Sequence, residues 1–333
     1  MPGTATGRFT EPETYVANLR AMAVEFVVTG PGRFDGRLTR AQLPHIDLLG
    51  ARESLPRIAY VLLQPGSLFV SFLMQPGPAM LLNGMVLQPG EIAFHVGGER
   101  FHQRTTGVSR WGLLAMAPRF ASIYAAALTG RQFRLPSAGQ IFCPPAADAA
   151  RFLRLHERIC HLAETRPASI GHPEVARALE QKLIDVLMTC LCRSETRNEP
   201  IRIRRYAAIL ARLEHQMTVP ANRLLPMREL CAIIGISQRT LEMCCTEFLA
   251  ITPKRYFQLR RLNDVRAALL NADPDTARVN EIARSHNFTE LGRFAASYQE
   301  VFGEMPSTTL RRVRNATAVG DVPLSTNPKP PAP

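Results

Sequence analysis

Two short stretches near the C-terminus carry side chains that could form hydrogen bonds with the edges of nucleic-acid bases. The first begins at Ser237 and continues with Gln238 and Arg239, and the second carries Arg293. Arginine can donate two parallel hydrogen bonds to guanine, and glutamine can pair with a base or reach a phosphate. These side chains reach base edges only if a helix presents them to the major groove, so the surrounding elements decide the prediction.

Both stretches have the pattern of a helix-turn-helix. Residues 227–241 and 279–294 each read as a short apolar helix, a tight break, a polar or capping residue and the start of a second short helix. The predicted helices are 227–233 and 238–249 in the first unit, and 279–285 and 291–302 in the second. Gly235 suits the first break, and Ser237 is a favourable N-cap for the helix that follows. Two such units in tandem predict a chain that contacts two neighbouring segments of the DNA major groove.

Helical spacing divides the residues of both units into a buried set and an exposed set. Leu241, Phe248, Phe294 and Tyr298 are expected to face the core, and Thr289 or Glu290 is expected to cap the second recognition helix. The residues expected to contact DNA begin or line the recognition helices, or begin the helix that joins the units: Ser237, Gln238, Arg239, Thr240, Glu242, Met243, Lys254, Arg255, Thr289, Glu290, Leu291, Gly292 and Arg293, with Arg260 and Arg261 as further phosphate contacts.

The charge of the chain favours a polyanionic partner. The 333 residues carry a formal net charge of +12, and residues 200–314 hold 18 Lys and Arg against 11 Asp and Glu. More than half of the net positive charge therefore lies in about a third of the chain, around the two helix-turn-helix units. This asymmetry is typical of a nucleic-acid-binding region, although many basic proteins bind no DNA.

The N-terminal half has a different sequence pattern, in which short β-rich runs are separated by turns that contain Pro and Gly. Close spacing of such runs predicts an antiparallel sandwich or small barrel. The predicted strands are residues 24–28, 34–38, 59–63, 68–73, 80–82, 91–94 and 111–116. Two amphipathic helices follow at about 151–162 and 174–192, and they could pair with a second subunit or only pack on the barrel.

These patterns predict an α+β protein with five segments. They are a β-rich region at 1–145, a helical dimerisation or packing segment at 146–194, a polar linker at 195–205, the DNA-binding domain at 206–314 and a disordered Pro-rich tail at 315–333. The start of the chain lacks an apolar signal-peptide core, and no window is apolar enough for a membrane span. Seven cysteines without CxxC spacing favour a reducing compartment, so a cytoplasmic location without membrane contact is expected.

The C-terminal third resembles the DNA-binding domain of AraC/XylS-type bacterial transcription regulators. Order and spacing agree over about 206–312, through Ser237-x-Arg239-Thr240-Leu241, Phe248, Thr252-Pro253, Tyr256, Arg260-Arg261-Leu262, Ala267-x-x-Leu270, Val279-x-Glu281-Ile282-Ala283, Phe288, Phe294, Tyr298, Phe302-Gly303, Pro306-Ser307 and Arg311-Arg312. The resemblance implies two helix-turn-helix subdomains joined by a long helix, with recognition helices that enter successive major grooves on one face of the DNA.

Five positions depart from the family pattern. Met243 and Ala296 stand where the family often has Arg, which implies fewer DNA contacts. Cys245 replaces a common Phe, and Ala250 and Asn287 replace common glycines. Asn tolerates a left-handed backbone better than other non-glycine residues, so the substitution at 287 is mild.

The resemblance also implies that the β-rich half is a cupin-like sensor that binds a small effector. The residues that could line or support that cavity are Phe69, Phe72, Phe94, Phe101 and Trp111; the alternative, that they are ordinary core, is the more common role of buried aromatic residues. Double-stranded DNA is the expected partner, with a second copy of the chain and RNA polymerase as further candidates. No catalytic residue, cofactor or metal is predicted.

Two other functions remain open from the sequence. A metal-dependent cupin-type enzyme with an accessory DNA module would need closely spaced histidines, whereas His45, His95 and His102 form no HxH motif. A nucleoid-type protein without an effector would bind DNA irrespective of sequence and with a steep dependence on salt.

Overall fold

The computed structural model of the protein describes residues 2–74, 77–129, 136–197, 199–219 and 225–312. The described strands are β1 (Gly3–Phe9), β2 (Met22–Val28), β3 (Gly36–Gln42), β4 (Ile46–Glu53), β5 (Arg57–Leu63), β6 (Leu68–Leu73), β7 (Met80–Leu82), β8 (Met85–Leu87), β9 (Ile92–Val96), β10 (Arg100–Thr105), β11 (Ser109–Met116), β12 (Gln140–Cys143) and β13 (Glu195–Arg197). The described helices are α1 (Pro12–Ala17), α2 (Pro118–Thr129), α3 (Ala146–Thr165), α4 (Pro167–Gly171), α5 (Pro173–Arg193), α6 (Ile201–Met217), α7 (Met227–Ile234), α8 (Gln238–Cys244), α9 (Pro253–Asn271), α10 (Val279–Ser285), α11 (Leu291–Phe302) and α12 (Pro306–Leu310).

The strands form two antiparallel sheets. The larger sheet has the order β1-β3-β4-β11-β6-β9-β12-β13, and the smaller has the order β2-β5-β10-β7-β8. Apolar side chains on the facing sides of the two sheets, such as Phe69, Val61 and Leu113, share one buried core. The expected α+β architecture is confirmed, but the two sheets stay separate in the described residues instead of closing into one barrel.

Helices α3 and α5 cover the outer face of the larger sheet. The Phe72 ring of β6 packs edge-on against Phe152 of α3, with ring centroids 4.7 Å apart. Leu183 and Leu187 of α5 are fully buried in the same cluster. Burying each such side chain contributes roughly 1.5–3 kcal/mol. The predicted pair of amphipathic helices therefore buries its apolar stripes within this chain and leaves mostly polar side chains outside.

The C-terminal helices pack against the outer face of the smaller sheet. Segment 195–205 was predicted as a linker, but residues 195–197 pair with β12 and α6 already begins at Ile201. This extra pairing carries the chain from the larger sheet directly into the C-terminal helices. The predicted disordered tail at 315–333 lies outside the described residues. None of the described helices combines the length and apolar content that crossing a bilayer requires.

Candidate functional site

The first helix-turn-helix unit has the turn that its sequence predicts. Gly235 ends α7 with a left-handed backbone, at φ 69°. The Oγ atom of Ser237 then accepts a hydrogen bond from the backbone N–H of Thr240, 3.0 Å away. This cap satisfies one of the free N–H groups at the start of α8, and it fixes where that helix begins.

The end of the first recognition helix differs from the prediction of one regular helix to residue 249. The α-helix stops at Cys244 and continues as a π-helical turn over Cys245–Leu249. Ala250 then takes a left-handed conformation, at φ 52°, and Thr252 caps α9 through the N–H of Arg255. A left-handed residue at this position reverses the chain so that α9 can start at once.

The outer face of α8 is exposed, as the spacing predicts. Leu241 and Phe248 are 0% and 1% exposed and pack into the core. The side chains expected to face DNA are exposed except Thr240, which is half-buried; the exposed ones are Ser237, Gln238, Arg239, Glu242 and Met243. The helix therefore presents polar side chains and Met243 to solvent on one side.

The second unit is built in the same way around α10 and α11. Asn287 lies between the helices with a left-handed backbone, at φ 61°. Phe294 and Tyr298 are buried, as expected, whereas Gly292 and Arg293 are exposed and Leu291 is half-buried against the core. The second recognition helix therefore exposes a smaller set of side chains than the first.

The predicted side-chain cap of α11 is not formed. Glu290 occupies the N-cap position, but no side chain there accepts a hydrogen bond from the helix backbone. Its carboxylate instead pairs with Arg293, with 3.0 Å between Oε2 and Nη1. Both side chains are well exposed, so this pair is weak and Arg293 can leave it to contact another group. Thr289 is also exposed.

The cations of α9 fall into two groups. Lys254 is exposed, and Arg255 is half-buried and pairs with Glu300 at 3.3 Å. Arg260 is 5% exposed and forms ion pairs with Glu214 and Glu25. Arg260 was predicted to contact phosphate, but in this conformation it faces the N-terminal part of the chain and cannot do so.

Arg261 lies on a different side of α9 from Arg260. It is half-buried, and its guanidinium lies 5.3 Å from the centre of the Phe288 ring. This contact joins α9 to the turn of the second unit. Arg261 therefore has a packing role in addition to the phosphate contact that the sequence predicts.

The five aromatic residues predicted for the effector cavity do not lie together. Phe94 and Phe101 line a cavity of about 620 Å³, which also touches Glu199 and Arg204 at the start of the C-terminal helices. Phe101 and Trp111 line a void of about 20 Å³ between the sheets. Phe72 packs on α3 instead, and Phe69 is part of the core between the sheets.

The histidines of the β-rich part have protein partners. His95 lies 3.0 Å from the Ser71 hydroxyl and 3.4 Å from a Glu99 oxygen. His102 lies 3.2 Å from a carboxylate oxygen of Glu214. Within the part of the chain that the structure describes, no three His, Cys, Asp or Glu side chains are grouped so that they could hold a metal ion.

Sequence reasoning missed the residues that join the two halves, among them Glu214, His102 and Asn263. One signal was present, because Glu214 occurs beside Leu210, Leu213 and Met217 in a stripe that is otherwise apolar. An acidic residue on the buried side of an amphipathic helix requires a buried partner, but the sequence does not tell which residue supplies it.

Parts of this chain are similar to known proteins. A crystal structure of the AraC-like transcriptional activator CuxR aligns with a TM-score of 0.42 and 15% identity, over 78% of this chain and 94% of that chain. The probable thc operon regulatory protein of Rhodococcus erythropolis is 28% identical over 169 residues, which are 49% of each protein. The XylDLEGF operon transcriptional activator of Pseudomonas putida is 34% identical over 97 residues, 29% of this chain and 30% of that protein.

The alignments with these curated relatives span about half of their length or less. A family model described as a helix-turn-helix domain matches residues 230–312, the segment that contains both turns and both recognition helices. Residues 230–312 therefore match a helix-turn-helix domain, and the chain is similar in part to proteins named as operon regulators.

Proposed function

We propose that the chain is a cytoplasmic transcription regulator that binds double-stranded DNA in a sequence-specific manner. The observation that carries this proposal is that helices α8 and α11, each of which follows a tight turn, both have an exposed outer face. On the opposite side, Phe248 just after α8 and Tyr298 of α11 are buried in the core and hold the helices in place. Two such helices joined by α9 could enter successive major grooves on one face of the DNA.

The proposed contacts divide by chemistry. Arg239 and Arg293 are the proposed readers of guanine edges, and Gln238 reaches a base or a phosphate. Lys254 and Arg255, at the start of α9, are proposed to contact phosphates, which fix the register of the protein without reading sequence. The remaining residues of the predicted set contribute shape and water-mediated contacts around these anchors.

We propose that a small molecule controls this activity from the cavity lined by Phe94 and Phe101. Its volume of about 620 Å³ is in the range of small-molecule sites in proteins. The cavity touches both β10 and Arg204 of α6, so a bound molecule would contact both halves of the chain. The void between the sheets is too small for an effector, so Trp111 is proposed only to support the cavity.

A homodimer and contact with RNA polymerase remain proposals. A dimer built on α3 and α5 would have to use their polar outer faces, since their apolar stripes are covered by the larger sheet. The division into segments 1–145, 146–194 and 206–314 is likewise a proposal about units that fold and act together.

The test is a DNA selection and footprint with the purified full-length protein, with and without candidate metabolites. A regulator enriches one bipartite sequence and protects two segments about one helical turn apart. Binding without sequence preference and with a steep salt dependence would contradict the proposal and favour the nucleoid-type alternative.

The enzyme alternative predicts a different result. Metal analysis of the same protein would find a stoichiometric transition metal if the β-rich part were a metal-dependent enzyme. The relatives that match the chain are named as regulators, and they give that alternative no support.

A further inference from the structure

A row of polar side chains crosses the outer face of the smaller sheet. Glu25, Tyr60 and His102 are direct cross-strand neighbours on β2, β5 and β10. Two of them contact the C-terminal helices: His102 reaches Glu214 of α6, and Glu25 pairs with Arg260 of α9 at 3.0 Å. The sheet face therefore contacts both helices through polar side chains.

Glu214 is the centre of these contacts. Its carboxylate is 2% exposed and accepts hydrogen bonds from Tyr256 and Arg260 in addition to its contact with His102. Burial alone would raise the pKa of Glu214, but Arg260 and His102 lower it to about 2. The carboxylate thus stays ionised. Loss of one of its partners would leave a buried negative charge without full compensation, which would destabilise the fold.

The first helix-turn-helix unit touches the N-terminal part at a second point. The turn between β7 and β8 lies against the π-helical turn that ends the first recognition helix. A Cβ atom placed on Gly84 would come within 3.0 Å of the Phe248 Cα. The His102 ring also meets the Phe248 ring edge-on, with 5.8 Å between centroids.

The second unit is held by a different set of residues. Arg266, near the end of α9, is 6% exposed and pairs with Glu11 and Glu13 from the N-terminal segment. Arg312, two residues after the end of α12, also pairs with Glu11. Both arginines also contact Glu304 of the second unit. Glu11 and Glu13 are therefore linked to the second unit through Arg266 and Arg312.

The middle of α9 is fixed to the edge of the smaller sheet. The side-chain amide of Asn263 accepts from the N–H of Val28 at 3.0 Å and donates to its carbonyl at 3.1 Å. Strand β2 is the edge of that sheet, so Asn263 satisfies backbone groups that would otherwise be unpaired.

These contacts hold both units at once. Helix α9 has 19 residues and is roughly 28 Å long. A single helix leaves each unit free to pivot at its end, whereas the sheet and the N-terminal segment hold the first unit, the middle of α9 and the second unit together. We propose that the N-terminal part braces the two helix-turn-helix units and fixes the orientation of α8 relative to α11, with Glu11 and Glu13 as positioning residues.

The consequence for recognition rests on the proposed function. A fixed orientation of the two recognition helices demands a fixed spacing between the two half-sites in DNA. Glu11 and Glu13 would then set which spacing the protein accepts, although neither touches DNA. A molecule in the cavity beside β10 could change the preference by shifting His102, because Phe101, the preceding residue, lines that cavity.

The first test measures orientation without DNA. Spin labels at Glu229→Cys in α7 and Gln299→Cys in α11, both exposed positions outside the proposed DNA contacts, report the distance between the units in the full chain. The background carries Cys143→Ser, Cys160→Ser and Cys192→Ser, since the remaining four cysteines are buried. We expect one narrow distance distribution, which broadens in the isosteric double variant Glu11→Gln/Glu13→Gln and broadens less in each single variant.

The control removes two carboxylates whose ion-pair partners, among the described residues, lie in the N-terminal part. Asp35 pairs with Arg8, and Asp47 pairs with Arg40. The variant Asp35→Asn/Asp47→Asn loses the same charge and should keep the narrow distribution. A distribution in Glu11→Gln/Glu13→Gln that is as narrow as in the parent would overturn the brace, whether or not the protein binds DNA.

The second test uses the DNA sequence that the parent protein selects. One base pair is inserted or removed between the half-sites, which rotates them by about a tenth of a turn. We expect the parent to lose about tenfold or more in affinity and Glu11→Gln/Glu13→Gln to lose distinctly less, while base mismatches within a half-site cost both proteins the same. Equal spacing penalties contradict the brace, whereas a failure to select any sequence contradicts the proposed function instead.

Discussion

At the scale of single residues, Arg293 combines exposure with a weak local partner. Its side chain is 82% exposed and pairs only with the exposed carboxylate of Glu290 among the contacts described. Such a pair contributes little to stability, so the guanidinium can turn to a guanine at small cost. The neighbouring Gly292 and half-buried Leu291 offer no comparable hydrogen-bonding group.

Replacing Arg293 with Ala should weaken specific DNA binding by about 1–3 kcal/mol and relax the preference at one base pair. The measurement is a titration of the selected DNA and its single-base variants. Arg158→Ala, an exposed change on α3, serves as the control and should leave affinity nearly unchanged. If Arg293→Ala discriminates among bases as the parent does, Arg293 does not read sequence.

His156 gives a prediction about pH. Burial lowers the pKa of His156 to about 4, despite the hydrogen bond with the Leu49 carbonyl. The unfolded chain therefore takes up the proton first as the pH falls below about 6.5. The contribution of neutral His156 to the free energy of unfolding is fully present above that pH, and it decreases by a few kcal/mol between about pH 6.5 and 4.

Urea unfolding at several pH values tests this expectation. His156→Gln can keep a donor for the Leu49 carbonyl but does not titrate, so its free energy of unfolding should change less across the same window. An identical pH dependence in parent and variant would show that other groups cause the loss.

At the scale of elements, the end of the first recognition helix contains a strained residue. Ala250 has φ 52° after the π-helical turn, a region that costs L-residues roughly 1–2 kcal/mol. The family pattern usually has Gly at this position, which is consistent with the backbone found here.

Changing Ala250 to Gly should stabilise the protein by about 0.5–1 kcal/mol, since the relief of strain exceeds the entropy that Gly loses on folding. The midpoint of thermal unfolding should rise. Ala178→Gly, in the exposed middle of α5, should instead destabilise by about 1 kcal/mol. A decrease in stability for Ala250→Gly would mean that the methyl group packs favourably there.

At the scale of the whole molecule, the buried Glu214 carboxylate contacts both halves, through Arg260 in the helical part and His102 in the β-rich part. Breaking a buried ion pair on one side leaves the other charge uncompensated, which costs about 3–5 kcal/mol. Glu214→Gln would leave Arg260 with Glu25 as its remaining carboxylate partner.

We expect Glu214→Gln to lower the unfolding temperature and to separate the melting of the β-rich part from that of the helical part in calorimetry. Glu157→Gln removes a half-exposed partner of Arg110 and should change stability by less than about 1 kcal/mol. A single transition at the parental temperature in Glu214→Gln would show that the network does not couple the halves.

The sequence by itself determined the helix-turn-helix units and much of their exposed face. The bounds of α10 and α11, the left-handed turn at Gly235 and the Ser237 cap depend on residues within one or two turns of each other, so local spacing is sufficient to predict them. The strands β6 and β7 were also predicted from local sequence, because each is a short apolar run next to turn residues such as Pro and Gly.

Only the tertiary structure decided how the two halves meet. Strand β10 was not predicted because His102 and Gln103 interrupt its apolar pattern, and their burial depends on partners far along the chain. His102 and Glu214 are 112 positions apart, and nothing in the local sequence of either residue identifies the other. Ion pairs with Glu214 and Glu25 likewise removed Arg260 from the predicted phosphate contacts, since a guanidinium beside two carboxylates is neutralised inside the protein and is not available to DNA.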